Sequence, residues 1–416
     1  MSVLECLEEV EGVGAIARIG EDRSGIAQRY RAPRSGRRRE RAAGPPLWTG
    51  PSIGIHQIQA AQPIVLTSSW TRHSHSASAS RDPDDGGLRQ AARYNRSQPA
   101  FACYYRPPSI DVEEVSACPI CQSPRRSAFA SMRNAGQDVA YQLCLRCGHV
   151  YQSPRMSPNE MEAFYSSGYR LLQQGTEEPT EKDLLTQKAR ALGTIAMTAG
   201  RLPSVSRHLD LGSSSGALLE AVRDRFRCEG VGIEPGESYR RYSLARGLRV
   251  LPDLTDAIDV AEEPFDLVTA MHVLEHLPDP LKTLAQLRTR HMKPGAFLLV
   301  EVPNLAEHPC LEIAHVQAFA ASSLKDAVRR AGFQVVWTRC HGGVRSPILR
   351  LYITLLARVI DRPSTGRYLP FAAHRTRVSR RIGVAKREFF TRLYPDWTWQ
   401  SPEKALERRA ATGRIR

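Results

Sequence analysis

HLDLGSSSGALLEAV, residues His208 to Val222, is the stretch whose reading decides the fold. Leu209 and Leu211 flank Asp210 as in a buried strand. Gly212, Ser214 and Gly216 then leave backbone amides uncovered, and Ala217, Leu218, Leu219 and Val222 start a helix-period pattern. The N-terminus of such a helix carries unpaired donors and partial positive charge, so the turn suits a carboxylate, a phosphate or the amino-acid end of a larger cofactor. The turn admits several readings. As GxSxG it is a nucleophile elbow with Ser214 attacking an acyl group, but an elbow follows several strand and helix units and this turn follows a first strand. As a dinucleotide fingerprint it offers Gly212, Ser214 and Ala217, without the middle glycine.

Downstream, Val231 to Ile233 form a second short strand ending at Glu234, 18 residues past Gly216. At about that spacing an acidic residue reaches ribose hydroxyls, accepting two hydrogen bonds from a vicinal diol. A third strand near Leu248 to Leu251 leads to Asp253, PFDLVTAMHVLEHLPDP supplies a fourth, and HMKPGAFLLVEVPN turns at Lys293 to Gly295 into a fifth. SSLKDAVRRAGFQVVWTRC reads as a helix capped by Ser323 and Asp326, then a strand from Gln334 to Thr338. Alternating strands and helices with right-handed crossovers predict an α/β, doubly wound, mostly parallel sheet, with ligand at the carboxyl ends of strands one and four.

Upstream, Cys118 and Cys121 form one CxxC, and Cys144 and Cys147 a second, with 22 residues between. Two such knuckles brought together by a hairpin complete a four-thiolate zinc ribbon. Four protein ligands leave no open position, so the zinc is expected to be structural. Few surface charges and no interleaved aromatics argue against the ribbon gripping nucleic acid. Two helical patterns, from Ser157 and through LLTQKARALGTIAM, bridge the ribbon to the sheet.

The 416 residues carry a formal net charge of +15, and residues 341–416 hold 17 Lys/Arg against 5 Asp/Glu. That basic tail suits an anionic membrane surface, nucleic acid or an acidic partner. ILRLYITLLARVI, Ile348 to Ile360, is too short for a span and reads as an amphipathic or core helix. The first thirty residues lack the apolar core of a signal peptide, and paired CxxC motifs suit a reducing compartment, so a cytoplasmic protein is expected. The predicted organisation is a disordered or mis-annotated extension over 1–112, a zinc ribbon over 113–156, a helical connector over 157–204, a cofactor domain over 205–340 and a basic, largely helical extension over 341–416.

Residues 206–340 resemble class I S-adenosylmethionine-dependent methyltransferases. LDLGSSSG is similar to their first motif, GIEP to the second, FDLVTAMHVLEHLPDP to the fourth-strand motif and KPGAFLLVEVPN to the fifth. With the four-cysteine ribbon in front, residues 118–340 resemble zinc-ribbon methyltransferases acting on small molecules, including sugar C-methyltransferases. The resemblance implies a Rossmann-like seven-stranded sheet whose last strand is antiparallel. By position, Asp210, Gly212, Ser214 and Gly216 would cradle the methionine part of S-adenosylmethionine, Glu234 the ribose, and Asp253 the adenine amino group. His315 falls where the sugar enzymes carry a histidine similar to a general base, although they present YHEH where this chain has Glu312, Ile313, Ala314 and His315. His276 is the second catalytic candidate. With His272, Glu275 and His315 it could instead bind a divalent metal, as in some small-RNA and quinone O-methyltransferases, or simply cap its turn. The expected activity is methylation of a small metabolite. The alternatives are RNA methylation, using the ribbon and the tail, and a zinc-ribbon binding protein with a degenerate methyltransferase domain.

Overall fold

The computed structural model describes residues 110–254, 263–360 and 370–411. The segment expected to be disordered, 1–112, lies outside these residues except for Ile110 to Val112, and Val112 opens the first strand, β1 (Val112–Glu113). β1 pairs antiparallel with β5 (Arg155–Met156). Between them lie β2 (Arg126–Asn134), β3 (Gln137–Cys144) and β4 (Val150–Gln152), a small antiparallel sheet carrying the four cysteines at its knuckle end.

The helices α1 (Pro158–Ser167), α2 (Tyr169–Gln174) and α3 (Glu181–Thr198) follow. Ser157 caps α1 by accepting from the Glu160 amide, and Thr180 caps α3 by accepting from Asp183. The large sheet then begins with β6 (Arg207–Leu211), α4 (Ala217–Phe226), β7 (Glu229–Ile233), α5 (Glu237–Ala245), β8 (Arg249–Leu251) and β9 (Phe265–Met271). It continues through α6 (Pro280–Gln286), β10 (Met292–Pro303), β11 (Gln317–Ala318), α7 (Ala321–Arg330), β12 (Phe333–His341) and β13 (Tyr352–Val359). α8 (Ala372–Leu393), α9 (Pro395–Thr398) and α10 (Pro402–Ala411) end the described chain.

Seven strands run in the order β12-β13-β10-β9-β6-β7-β8, and β11 instead joins the cysteine sheet beside β4. β6 pairs in parallel with β7 on one side and β9 on the other, and β10 extends the parallel set beyond β9. Winding therefore reverses between β6 and β9, which opens a crevice at their carboxyl ends. This is the largely parallel, Rossmann-like seven-stranded sheet that the resemblance implies, antiparallel strand included.

That antiparallel strand is β13, so the helix expected over Ile348 to Ile360 is corrected. β13 is wedged between β10 and β12, antiparallel to both, and all of its residues except Arg358 are buried. A strand covered on both faces loses the period-two alternation that distinguishes it from a buried helix. Arg358, which seemed to break the run, turns out and donates to the Gly295 carbonyl at 3.1 Å. The cap of α7 also differs: Ser323 lies inside the helix, its Oγ accepting from the Ala320 amide at 3.1 Å, while Asp326 pairs with Arg330 at 2.9 Å.

α8 packs across both modules. Thr376 donates to the Gly148 carbonyl of the second knuckle (2.8 Å), and Arg380 donates to the Leu305 and His308 carbonyls beyond β10 (2.6 and 2.7 Å). Gly383 lies against the Ala306 backbone, where a Cβ would come within 2.1 Å of the carbonyl oxygen. Among the described residues no helix is long and apolar enough to cross a membrane.

Candidate functional site

The turn after β6 is built around positive φ: Gly212 at +72°, Ser214 at +50° and Gly216 at +75°. A Cβ on Gly216 would fall 2.2 Å from Leu248 Cδ1, so this position requires glycine for space as well as conformation. Glu234 at the end of β7 holds the turn from beneath. Its Oε2 accepts from the Ser214 amide at 2.8 Å and its Oε1 from the Gly236 amide at 3.0 Å. Burial raises its carboxyl above the usual range, against the pull of Arg170 and these two amides. Ser214 Oγ accepts from Arg170 at 2.7 Å, and a guanidinium cannot serve as the base a serine nucleophile needs.

Asp210 is almost fully buried at the end of β6. Thr269 Oγ1, on neighbouring β9, donates to its Oδ1 at 2.6 Å and lies 2.8 Å from His208 Nε2. Since the threonine proton points at the carboxylate, His208 must donate through Nε2 to Thr269. Burial pushes the Asp210 carboxyl up to about 7 and holds His208 down at about 3, so the imidazole is neutral and the relay has one direction.

A single cavity of about 710 Å³ runs from this turn across the ends of β6 and β9. Asp210, Gly212, Ser214, Glu234 and Asp253 line it, and so does His276. Gly216 and His315 do not line it. The connector helices form the opposite side, which sequence reading missed: Asp183, Gln187, Arg190 and Thr194 lie along one face of α3 and line the cavity. Their spacing of four, three and four residues is a helical stripe of polar groups, a signal present in the sequence. Gln187 Oε1 accepts from the Ser215 amide and hydroxyl (3.0 and 2.5 Å), tying α3 to the turn. Arg190 lies over the Tyr352 ring with its Nε lacking a hydrogen-bond partner.

Beyond the cofactor turn, Leu274 to His276 form one 3₁₀ turn. His276 Nδ1 lies 2.8 Å from Tyr165 Oη and 2.9 Å from the Ala314 carbonyl, and Tyr165 itself donates to that carbonyl. Nδ1 therefore carries the proton, leaving the Nε2 lone pair open. Burial lowers the His276 pKa to about 4 despite Glu275 beside it. His315 is close, with ring centres 4.9 Å apart, but both its nitrogens are engaged: Nδ1 with the Cys310 carbonyl (2.8 Å) and Nε2 with Glu312 (3.1 Å). Ligand atoms of Glu275, His276 and His315 lie within 4.8 Å of one another, and neither Glu275 oxygen has a hydrogen-bond partner. A divalent cation held by these three would have to draw His315 Nε2 away from Glu312. His272 stands outside this group, with Glu275 and Glu301 each approaching one of its nitrogens at 3.3 Å. Burial works against charging that ring, but the flanking carboxylates raise its pKa.

The cysteine sheet reaches the same place. Tyr141 donates to the Glu312 and His315 carbonyls (2.8 and 2.7 Å), and Gln152 donates to the same two (2.7 and 3.0 Å). The loop carrying His315 thus hangs from the cysteine sheet. All four cysteines are buried, with Sγ separations of 3.6 Å for Cys118–Cys147 and 3.4 Å for Cys121–Cys144. Zinc with bonds of ~2.3 Å requires sulfurs ~3.8 Å apart at a tetrahedral site, so the thiols present fit it.

Residues 184–338 match the model of a family described as a methyltransferase domain. The chain is 38% identical over 105 residues to a ubiquinone biosynthesis O-methyltransferase of Hahella chejuensis, covering 24% of this chain and 43% of that protein. To the protein of the same description from Pseudomonas aeruginosa it is 34% identical over 103 residues, 23% of this chain and 44% of that one. The chain thus spans less than half the length of these curated relatives. Among solved structures, an S-adenosylmethionine-dependent methyltransferase from Archaeoglobus fulgidus superposes with a TM-score of 0.37 at 18% identity, over 46% of this chain and 99% of that one. The sheet order and the turn it presents are those of a Rossmann-like fold, and the stretch that holds five of the seven strands in full, residues 184–338, matches a family described as a methyltransferase domain.

Proposed function

We propose that this chain is an S-adenosylmethionine-dependent methyltransferase acting on a hydroxyl of a small molecule, with a structural zinc in its four-cysteine ribbon. The observation that carries the reading is the continuity of one cavity from Asp210, Gly212 and Glu234 to the open nitrogen of His276. The cofactor would supply a methyl group already activated on a sulfonium. The protein's own task is alignment, exclusion of water and removal of one proton. Asp210 offers a buried carboxylate to the cationic amino-acid end, and Glu234, fixed by two backbone amides, keeps lone pairs for ribose hydroxyls. Asp253 stands on the wall beyond, where an adenine would lie.

His276 Nε2 is the proton acceptor for the substrate hydroxyl, with Tyr165 holding its tautomer. His315 supports that ring. The names of the relatives favour an oxygen acceptor. A second reading has Glu275, His276 and His315 holding a divalent cation that binds the acceptor hydroxyl, favoured by the buried Glu275 carboxylate, whose oxygens accept no hydrogen bond and meet only His272 at 3.3 Å. RNA methylation draws less support, since Arg377, Arg380, Lys386 and Arg387 of the basic tail point into the protein.

Isothermal titration with S-adenosylmethionine, paired with methyl transfer to a panel of phenols and catechols, tests the proposal. Binding in the micromolar range is expected. His276→Ala should keep that affinity and lose at least 100-fold in turnover. No binding at millimolar concentration overturns the enzymatic reading and leaves the ribbon-bearing binding protein. Activity that disappears with EDTA and returns with Mg²⁺ selects the cation reading.

A further inference from the structure

α8 is two-faced, and only one face is spent on the protein. Thr376, Arg380, Gly383 and Arg387 lie along the inner side, each against a backbone carbonyl of the ribbon or of the segment after β10. On the outer side Val378, Ile382, Phe389 and Leu393 are 38, 63, 57 and 54% exposed. At ~100° per residue these four fall within roughly 60° of arc, a single apolar stripe about four turns long. Tyr394 and Trp397 prolong it into α9, 51 and 56% exposed. Scattered apolar side chains on a surface need no explanation, but a contiguous stripe ending in aromatic residues does.

Charge decides what the stripe fits. α8 holds seven Lys/Arg and one acidic residue, Glu388. Arg377, Arg380, Lys386 and Arg387 are committed inward, while Arg375, Arg381 and Arg392 remain exposed on the flanks of the stripe, Arg375 on one side and Arg381 and Arg392 on the other. A second copy of this helix would bring like charges together across the stripe. A nucleic acid would satisfy the arginines but leave Ile382 and Leu393 without partners. An apolar stripe bordered by cations, with Tyr and Trp at one end, matches the boundary between acyl chains and anionic headgroups.

We infer that the outer face of α8 and α9 docks this protein on an anionic phospholipid surface, Ile382, Phe389 and Leu393 entering the acyl boundary and Arg375, Arg381 and Arg392 meeting headgroups. The inference stands on this helix alone and does not depend on the methyltransferase reading. The contact is peripheral, because α8 stays anchored to the ribbon and to the loop after β10 through its inner face.

The test is co-sedimentation of the full-length protein with vesicles of phosphatidylcholine alone and of phosphatidylcholine with 30% phosphatidylglycerol, at 50 and 300 mM NaCl. Binding to the anionic vesicles at low salt is expected, weakened at high salt and at least tenfold poorer on neutral vesicles. The triple variant R375E/R381E/R392E should lose roughly 100-fold or more in partition coefficient. I382S/F389S, at positions that face solvent, should keep the wild-type circular dichroism spectrum and lose about tenfold or more while keeping the salt dependence. Several results overturn the inference: no binding to anionic vesicles at 50 mM NaCl, variants that bind like the wild type, a dimer in sedimentation that the serine variants dissociate, or single-stranded RNA binding abolished by the arginine variant without any vesicle binding.

Discussion

Asp210→Asn isolates the energetic tension at the cofactor turn. The wild-type carboxyl titrates at about 7 when folded and at 3.8 as its ordinary value, because burial opposes its charge more than Thr269 supports it. A folded pKa above the unfolded one means that the unfolded chain releases this proton first. The associated stability is complete below pH 3.8 and is lost as pH rises through about 7. At ~1.4 kcal/mol per unit, the charge destabilises the ligand-free fold by roughly 1–2 kcal/mol at pH 5 and roughly 4 kcal/mol at pH 8. Asparagine has nearly the same shape, and its carbonyl still accepts from Thr269, but it never ionises. The variant should therefore melt higher than the wild type at pH 8, with a gain of ~2–4 °C per kcal/mol retained, and the gap should narrow steadily toward pH 4. Cofactor binding should move the opposite way. A cationic amino-acid end stabilises the carboxylate, so wild-type affinity for S-adenosylmethionine should strengthen between pH 6 and 8, with proton release on binding, whereas the variant should bind weakly and without that dependence. Differential scanning calorimetry across pH, with titration calorimetry in two buffers of different ionisation enthalpy, measures both. An Asp210→Asn protein that melts below the wild type at pH 8, with a gap independent of pH, would refute the reasoning.

Cys144→Ser should abolish stoichiometric zinc, read by inductively coupled plasma mass spectrometry, and should lower turnover more than cofactor affinity, because Tyr141 and Gln152 would release the Glu312 and His315 carbonyls. Gly383→Ala should detach α8, since its Cβ would meet the Ala306 carbonyl oxygen at 2.1 Å. The cost is about 1–3 kcal/mol, and trypsin should cleave within 372–393 several-fold faster. Ser214→Gly removes a side chain held at φ +50°, a conformation costing about 1 kcal/mol, and should preserve or tighten binding of S-adenosylmethionine. Turnover lost with binding intact would instead restore Ser214 as a nucleophile.

By itself the sequence expressed the cysteine knuckles, the parallel strands and the turn after β6. Adjacent residues carry that information: a strand must end at Asp210, a turn of glycines must follow, Glu234 must close the next strand, and paired cysteines must form knuckles. These are local requirements of chain geometry and ligand number, and short-range pattern expresses them. Tertiary structure decided what depends on residues far apart. β13 carries no alternation because both of its faces are covered, so its strand character exists only between β10 and β12. Arg170, Gln187 and Arg190 reach the cavity only because the connector folds back over the turn. His276 rather than His315 keeps an open nitrogen because Tyr165 and the Ala314 carbonyl, 111 and 38 residues away, share its other one, whereas the Cys310 carbonyl and Glu312 occupy both nitrogens of His315. The basic tail divides in the same way: its composition announces charge, but only packing against Gly148 and Ala306 separates the arginines that hold the fold from those left facing out.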